Sequence, residues 1–307
     1  MTQLVGTPLN RRRAGDPGGK ARRAPRRWIR PASALFGLAM LLVLWEVGAV
    51  IVRQTATQPN EVWPSLEYIA RTAYPEIGLV RHTAIAGPGS AGAATGAHAS
   101  YGDATVVLLR ESRRTIERVL LGALFGVLLG VTIGLLVARA TVVRRTLYPT
   151  VNLVRQIPLL ALSILFLLWF GSTERAIYSF VIFGVASLVM INTINAVRNV
   201  PEVQVNYART LGSGRLRVLR SVLLPAITPE LVAGVKVAVG LAWAMVLGTE
   251  YVIALPGLGK LMLFFELFGF AGRMVVILFL FVLYALLTHL LVTALGNYLT
   301  RWAPRST

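Results

Sequence analysis

Long apolar runs, joined by short polar segments, set the first limit on how this chain of 307 residues folds. A helix of about 20 residues crosses the roughly 30 Å hydrocarbon core of a bilayer, and inside that core every backbone polar group must be bonded within the protein. Only 14% of the residues are charged, whereas about 25% is usual in soluble domains. We therefore predict an all-α integral membrane protein with about six transmembrane helices. The predicted spans cover residues 34–52, 118–137, 147–170, 177–197, 231–254 and 274–295.

The third predicted span is interrupted. Arg155, Gln156 and Pro158 lie inside the apolar run from Leu147 to Phe170. Proline removes a helical hydrogen bond, and such breaks persist in membranes where protein or a cavity satisfies the freed backbone. A helix that enters from the interface at its charged end is the alternative, and the sequence leaves both open.

Four glycines in the second span follow each other at intervals of four residues: Gly122, Gly126, Gly130 and Gly134. Residues at i and i+4 share one face of a helix. A face without side chains lets another helix approach closely inside lipid. This stripe predicts helix packing and no chemistry.

Polar residues inside the later spans are candidates for a functional site within the membrane: Gln156, Pro158, Asn192, Asn195 and Glu250. Unpaired polar groups are costly in lipid, so these groups must face protein or water. Pairing between helices explains the asparagines equally well. For Glu250 we favour a structural or gating role.

The distribution of basic residues predicts the orientation. Residues 1–31 hold nine Lys and Arg and a single Asp, with Gly and Pro throughout. We expect a disordered cytoplasmic tail, or one that lies on anionic lipid. Segments on the tail's side of the spans carry 19 Lys and Arg, and those on the opposite side carry 9. By the positive-inside rule, both termini are expected in the cytoplasm.

The remaining sequence predicts one membrane domain over residues 32–302 and a C-terminal tail at 303–307. Its first two spans are separated by an extracytoplasmic loop at 53–113. Residues 87–104 of that loop are rich in Gly, Ala and Ser, and we interpret them as a flexible insertion.

A basic segment between the fourth and fifth spans reads YARTLGSGRLRVLRSVLLPAITPEL at residues 207–231. Apolar residues in this segment and just before it recur with helical spacing. They are Val205, Ala208, Leu211, Leu216, Leu219 and Val222. Gly212 and Gly214 divide the segment into two short helices, and Leu224-Pro225 is expected to end the second. The pattern fits a helix–turn–helix unit that docks in a groove on a partner. A loop resting on lipid head groups is the alternative.

The same segment resembles the EAA loop of ABC-importer permeases. In that motif Glu-Ala-Ala is followed by three residues and Gly, then by nine residues and Ile, then by one residue and Leu-Pro. Four positions fall in register here: Ala208, Gly212, Leu224 and Pro225. Val222 takes the place of the Ile, while Asn206 and Tyr207 depart from the Glu and first Ala.

The resemblance implies that an EAA loop at residues 198–229 docks on a cytoplasmic ATPase, through a coupling helix at about Ala208–Arg217. The positions it implies for this coupling are Ala208, Arg209, Leu211, Gly212, Ser213, Arg215, Leu224 and Pro225.

The resemblance extends over about residues 34–302. Stretches such as LVRQIPLLALSILFLLWFG and GLAWAMVLGTEYVIALPGLG look like the sulfonate, taurine and nitrate importer branch. This implies an inner-membrane permease homodimer with two ABC ATPase subunits and an extracytoplasmic solute-binding protein. This chain would bind no cofactor, because ATP and Mg belong to the partner ATPase. Sulfonates, taurine, nitrate, bicarbonate and pyrimidine vitamin precursors all stay open as solutes.

The resemblance makes the polar residues of the later spans candidates for the solute pathway or its gate: Gln156, Pro158, Asn192, Asn195 and Glu250. Among them Glu250 suits a structural or gating role, because a carboxylate repels an anionic solute.

Other functions fit the residues less well. An ion-coupled secondary transporter would use Glu46 and Glu250 as carriers and would show an inverted repeat, which is not evident here. ALPGLGKL departs from a Walker A loop, with Ala254 at its first glycine and Leu261 at its hydroxyl position. Scattered histidines and the lack of cysteine argue against a metal centre or a membrane enzyme. Nucleic-acid binding is not indicated, because no basic and aromatic module stands apart from the apolar runs.

Overall fold

A computed structural model describes residues 29–81, 99–140, 145–146, 148–150, 153 and 156–302. Every regular element in these ranges is helical. Within them, four helices are long and apolar enough to cross a membrane: Tyr101–Ala138, Glu174–Asn199, Arg215–Ile253 and Ala271–Leu299. The expected all-α membrane fold is thereby confirmed.

The chain divides into two compact units, residues 1–48 and 49–307. The first unit contains most of helix α1 (Ile29–Thr55). This helix starts inside the segment assigned above to a disordered tail, and residues 1–28 lie outside the described ranges. Pro31 does not prevent the early start, because a proline in the first turn removes no intrahelical hydrogen bond.

The second unit opens with a series of short helical segments. They are α2 (Pro59–Val62), α3 (Leu66–Tyr68), a π-helical turn (Ile69–Ala73), α4 (Tyr74–Glu76) and a 3-10 turn (Ile77–Arg81). The Ser65 hydroxyl caps α3 by accepting a hydrogen bond from the Tyr68 amide at 3.3 Å.

Helix α5 (Tyr101–Arg139) is 39 residues long. The expectation of a loop through residue 113 is therefore wrong for residues 101–113. The expected insertion at 87–104 is likewise wrong for its last four residues, 101–104, which are helical, and residues 82–98 lie outside the described ranges. Charged side chains lower the hydropathy of the early turns, yet Ala104, Val107 and Leu108 are buried. An amphipathic helix of this kind is stabilised by packing on one face.

Two helices follow the proline break. Helix α6 (Leu159–Phe170) has Pro158 as its N-terminal cap and ends at Gly171, whose φ is +70°. Its 12 residues extend about 18 Å, which is less than the thickness of a bilayer core. Helix α7 (Glu174–Asn199) is longer and is buried along most of its length.

The EAA-like segment forms α8 (Glu202–Thr210), a turn, α9 (Arg215–Val218) and a π-helical turn (Leu219–Leu223). Helix α10 (Leu224–Ile253) continues from that turn without a break. The expectation that Leu224-Pro225 ends the second short helix is therefore wrong. Pro225 lies in the first turn of α10, directly after the wider π-helical turn, and there its missing N–H leaves the α-helical ladder intact.

Helices α11 (Leu258–Leu267) and α12 (Ala271–Leu299) complete the unit. Helix α7 lies at its centre and packs against both α5 and α10. Phe180 and Val185 of α7 are fully buried, as is Val246 of α10. Helix α12 has many exposed leucines, a composition suited to lipid or to another apolar subunit surface.

Contacts between helices define two opposite ends of this unit. Asn199, the last residue of α7, donates hydrogen bonds to Glu230 near the start of α10 at 3.0 and 3.1 Å. Gly296 near the end of α12 packs against Val232. We call this region, which also holds α8 and α9, the Asn199 end.

The other end of the unit is held by ion pairs and ring contacts. Arg273, in the first turn of α12, donates to Glu76 of α4 at 2.8 Å, and its guanidinium lies 3.8 Å from the centre of the Phe270 ring. Gly272 packs against Tyr68. We call this region, in which α10 also ends, the Glu250 end.

Candidate functional site

The glycine stripe of α5 lies directly on α7. A Cβ atom added to Gly122 would come within 2.6 Å of Val181, and one added to Gly126 within 2.7 Å of Val185. At Gly130 and Gly134 it would meet Ala186 and Thr193 at 2.7 and 2.6 Å. Real Cβ atoms do not approach so closely, so this contact requires glycine at each of these positions.

Glu250 is fully buried near the end of α10, and a group from α5 neutralises its charge. Arg118 donates to the Glu250 carboxylate at 2.6 Å, and the hydroxyl of Thr115 donates to it at 2.9 Å. The backbone amide of Gly259 in α11 donates at 2.9 Å. These three donors, one of which carries a positive charge, supply the interactions that a buried carboxylate requires.

Arg118 extends this network to two further elements. It donates to Glu174 at the start of α7 at 2.9 and 2.5 Å, and to the Pro256 carbonyl at 2.8 Å. The Arg118 side chain is 2% exposed, whereas that of Glu174 is 54% exposed. The network therefore ties α5, α7, α10 and the turn before α11 together at one point.

Sequence reasoning identified Glu250 but not its partners. Arg118 and Thr115 are one turn apart on α5, at the boundary between its charged and apolar parts. The predicted span begins at Arg118, so from the sequence this arginine resembles an anchor at the membrane interface. Helix α5 in fact begins earlier, at Tyr101, and Arg118 is buried within the protein. The available signal was the i, i+4 and i+7 spacing of Glu111, Thr115 and Arg118, which places them on one helix face.

The other candidates for the pathway lie apart from Glu250. Asn192 packs against Gly234, and Gly234 is about 24 Å from Glu250 along α10 at 1.5 Å per residue. Asn195 accepts a hydrogen bond from the Tyr148 hydroxyl at 3.3 Å. These contacts favour the interpretation of the asparagines as groups that pair helices.

The remaining polar candidates form no common site with these groups. Gln156 and Pro158 are exposed in the described chain, and the neighbouring Arg155 lies outside the described ranges. Glu46 lies within α1 and is half-buried. Among the described residues there is no group of three or more His, Asp or Glu side chains that could hold a metal ion.

The EAA-like segment presents an uncovered apolar face at the Asn199 end. Val203, Tyr207 and Leu211 follow at i, i+4 and i+8, and they are 77%, 67% and 69% exposed. Leu216 on α9 is 59% exposed. Val205 and Ala208 lie on the inner side and are half-buried, so the exposed stripe keeps Leu211 of the expected stripe but has Val203 and Tyr207 in place of Val205 and Ala208.

Gly212 forms the turn between the two short helices. Its φ is +79°, a left-handed value that strongly favours glycine, and an added Cβ would meet nothing within 4 Å. The Ser213 amide donates to the Ala208 carbonyl at 3.1 Å and closes the end of α8. Arg209 and Arg215 are exposed on either side of this turn, while Leu224 and Pro225 are half-buried where α10 begins.

Residues 126–303 match the family model of the binding-protein-dependent transport system inner membrane component. This match covers more than half of the chain. The chain belongs to this family. Membership confirms the ABC-permease resemblance and disfavours the secondary transporter that would use Glu46 and Glu250.

Curated relatives include two permeases of Escherichia coli. The chain is 32% identical to the taurine transport system permease protein over 117 residues, which are 38% of this chain and 42% of the relative. It is 31% identical to a putative aliphatic sulfonates transport permease protein over 160 residues, which are 52% of this chain and 61% of the relative. The chain thus spans about half the length of these relatives.

A solved structure shares the fold. The inward-facing structure of the MetNI methionine ABC transporter contains a chain that is 22% identical, with a TM-score of 0.55. The match covers 66% of this chain and 98% of that one.

Proposed function

We propose that this protein is the channel-forming subunit of an ATP-driven ABC importer. It moves a small solute, such as a sulfonate, taurine or nitrate, into the cytoplasm by alternating access. The relatives' names support the solute class. The observation that carries the mechanism is the uncovered apolar face of α8, followed by the Gly212 turn.

In this mechanism α8 and α9 insert into a cleft on a cytoplasmic ATPase. A helix that lays apolar residues at i, i+4 and i+8 into a groove is a common mode of recognition. Because α9 continues through a π-helical turn into α10, movement of the docked segment is transmitted to a helix that crosses the membrane. ATP and Mg are held and used by the ATPase, so this chain acts as a permease and not as the enzyme.

The proposed assembly holds two copies of this chain, two ATPase subunits and an extracytoplasmic solute-binding protein. The Asn199 end faces the cytoplasm with both termini, and the Glu250 end faces outward. The proposed assembly lies in the plasma or inner membrane, in agreement with the family description as an inner membrane component. The Arg118–Glu250 network holds the outer ends of α5, α7 and α10 together, which is a structural or gating role for Glu250.

The docking role of α8 is tested by co-purification of the full-length protein from its native membranes. Leu211→Asp places a charge on the exposed face, and Gly212→Pro removes the left-handed turn, because proline cannot adopt a φ of +79°. Val62→Asp is the matched control, since Val62 is 64% exposed and lies in α2, away from this segment. Co-purified subunits are identified by mass spectrometry, and ATP hydrolysis by each preparation is measured.

We expect an ABC ATPase and its activity with wild type and Val62→Asp, and loss of both with Leu211→Asp and Gly212→Pro. Gel filtration must show that all four proteins are folded. If a folded wild-type protein carries no ABC ATPase, or if the docking variants retain it fully, the proposed coupling is wrong.

A further inference from the structure

A cavity of about 290 Å³ lies at the Glu250 end, on the same face of α5 as the buried network. Arg110 and Arg114 line it from successive turns of α5, and Lys260 lines it from the first turn of α11. Glu111 is the acidic residue among the lining side chains. These lining residues are not among the candidates identified from the sequence, and the proposed coupling does not involve them.

The charges around this cavity do not cancel. Arg114 donates to Glu111 at 3.1 and 3.2 Å, so these two residues neutralise each other. Within the described ranges, neither Arg110 nor Lys260 has a hydrogen bond or an ion pair. Among the described residues, two positive charges thus have no partner beside the cavity, and that arrangement favours an anion.

The other walls of the cavity are apolar. Val80, Val107 and Leu261 are buried along it, and Val106 lies at its exposed side. Ligand pockets begin at about 300 Å³ and are mostly apolar, with a few charged groups that orient the ligand. The cavity therefore suits a small molecule with an oxyanion at one end and a short apolar stem, better than a bare inorganic anion.

One wall of the cavity is the turn between α10 and α11, and the buried network contacts the same turn. Pro256 and Gly257 line the cavity. The Pro256 carbonyl accepts from Arg118 at 2.8 Å, and Gly257 packs so closely against the Glu250 carboxylate that a side chain there would overlap it. A ligand in the cavity would therefore touch the turn that links α10 to α11.

We propose that this cavity is an outer subsite for a small organic anion of the alkanesulfonate type, with Arg110 and Lys260 as its anion-binding groups. The inference rests on the proposed function, because it names where an imported anion first binds the permease. It assigns specificity to this chain in addition to any that a solute-binding protein supplies.

The test is direct binding to the purified full-length protein in lipid nanodiscs, with no ATPase or solute-binding protein present. Calorimetry measures binding of 1-propanesulfonate, with 1-propanesulfonamide as the uncharged analogue and sulfate as the anion without a stem. Arg110→Gln and Lys260→Gln each remove one unpartnered charge. Arg113→Gln is the matched control, because Arg113 is on the same helix but is 81% exposed and outside the cavity.

We expect 1-propanesulfonate to bind wild type and Arg113→Gln alike. Each charge-removing variant is expected to weaken binding about tenfold, the effect of losing one charge-assisted hydrogen bond. The sulfonamide and sulfate should both bind more weakly than the sulfonate. Equal melting temperatures of the variants establish that the loss is local.

The inference is overturned if the sulfonate does not bind, if Arg113→Gln weakens it as much as Arg110→Gln does, or if sulfate binds equally well. This inference can be wrong while the proposed function is right. An ABC ATPase that still co-purifies with a protein that binds no sulfonate would leave the importer in place and remove only this subsite.

Discussion

Arg118 brings a guanidinium into the protein interior, where it bonds to Glu174, Glu250 and the Pro256 carbonyl. Burial of an ion pair removes both charges from water, so its net contribution to stability depends on how completely the charges are paired. Loss of one partner leaves a buried charge uncompensated, which costs much more than loss of the whole pair. This asymmetry makes the network testable.

Replacement of Arg118 by methionine should be strongly destabilising. Arg118→Met leaves the Glu250 carboxylate fully buried with only neutral donors, and one unpaired buried charge costs about 3–5 kcal/mol. The double variant Arg118→Met with Glu250→Gln should recover part of that loss, because Glu174 is 54% exposed and can be solvated alone. Thermal unfolding of the detergent-solubilised protein measures both, and a single variant that melts like wild type would contradict a structural role.

Ala254 ends α10 in the left-handed region, with φ +56° and ψ +30°. For a residue with a Cβ this conformation costs about 1–2 kcal/mol, and glycine avoids most of that cost. Ala254→Gly should therefore raise the melting temperature. Ala244→Gly, at an exposed position inside α10, should lower it, because glycine is unfavourable in a helix interior. A fall in both variants would show that the local geometry of Ala254 is not strained.

At the scale of helices, the central packing is the approach of α5 to α7. Bilayer lipid supplies no hydrophobic driving force between helices, so close van der Waals contact must hold them together. The four glycines of α5 permit that contact along more than three turns. Val181 and Val185 of α7 fill the space that side chains on α5 would need.

A methyl group in the middle of the stripe should separate the two helices. Gly126→Ala would put a Cβ 2.7 Å from Val185, and overpacking of this kind typically costs about 1–3 kcal/mol. Gly240→Ala is the matched control in α10, because its added Cβ would meet nothing within 4 Å. We expect a lower melting temperature for the first variant and an unchanged or slightly higher one for the second. Equal melting of the two variants would argue against close packing at the stripe.

At the scale of the whole molecule, the second unit has two ends with different chemistry. The Asn199 end presents the exposed face of α8 and the Gly212 turn. The Glu250 end contains the buried network, the Arg273–Glu76 pair and the basic cavity. The proposed orientation places the first in the cytoplasm and the second outside.

Because the chain has no cysteine, single introduced cysteines report this orientation without background. Val62→Cys in α2 should react with a membrane-impermeant maleimide on intact cells. Gln204→Cys, at an exposed position on α8, should react only after the cells are lysed. The reverse pattern would place α8 outside and would exclude docking to a cytoplasmic ATPase. Transport of radiolabelled taurine or nitrate by the same variants would show that they remain functional.

Patterns read along one helix anticipated much of the architecture. Apolar length predicted the all-α membrane fold, and the EAA-like spacing predicted the family. The interruption expected near Pro158 lies directly before α6, which has Pro158 as its N-terminal cap. Two local expectations were wrong for a related reason. Residues 101–113 are helical because one face is buried by other elements, and the chain passes through Pro225 because a π-helical turn precedes it. Neither cause has a strong signal in the sequence.

Hydropathy, helix length and missing side chains are local properties, so they could be read from the sequence alone, and they predicted a helical membrane protein and the glycine face of α5. Which polar groups meet depends on how the helices pack. Thr115 and Arg118 of α5 reach Glu250 of α10 across more than 130 positions, and Arg110 comes beside Lys260 in the same way. A buried charge must find its partner wherever packing places one, and packing depends on the whole set of helix contacts.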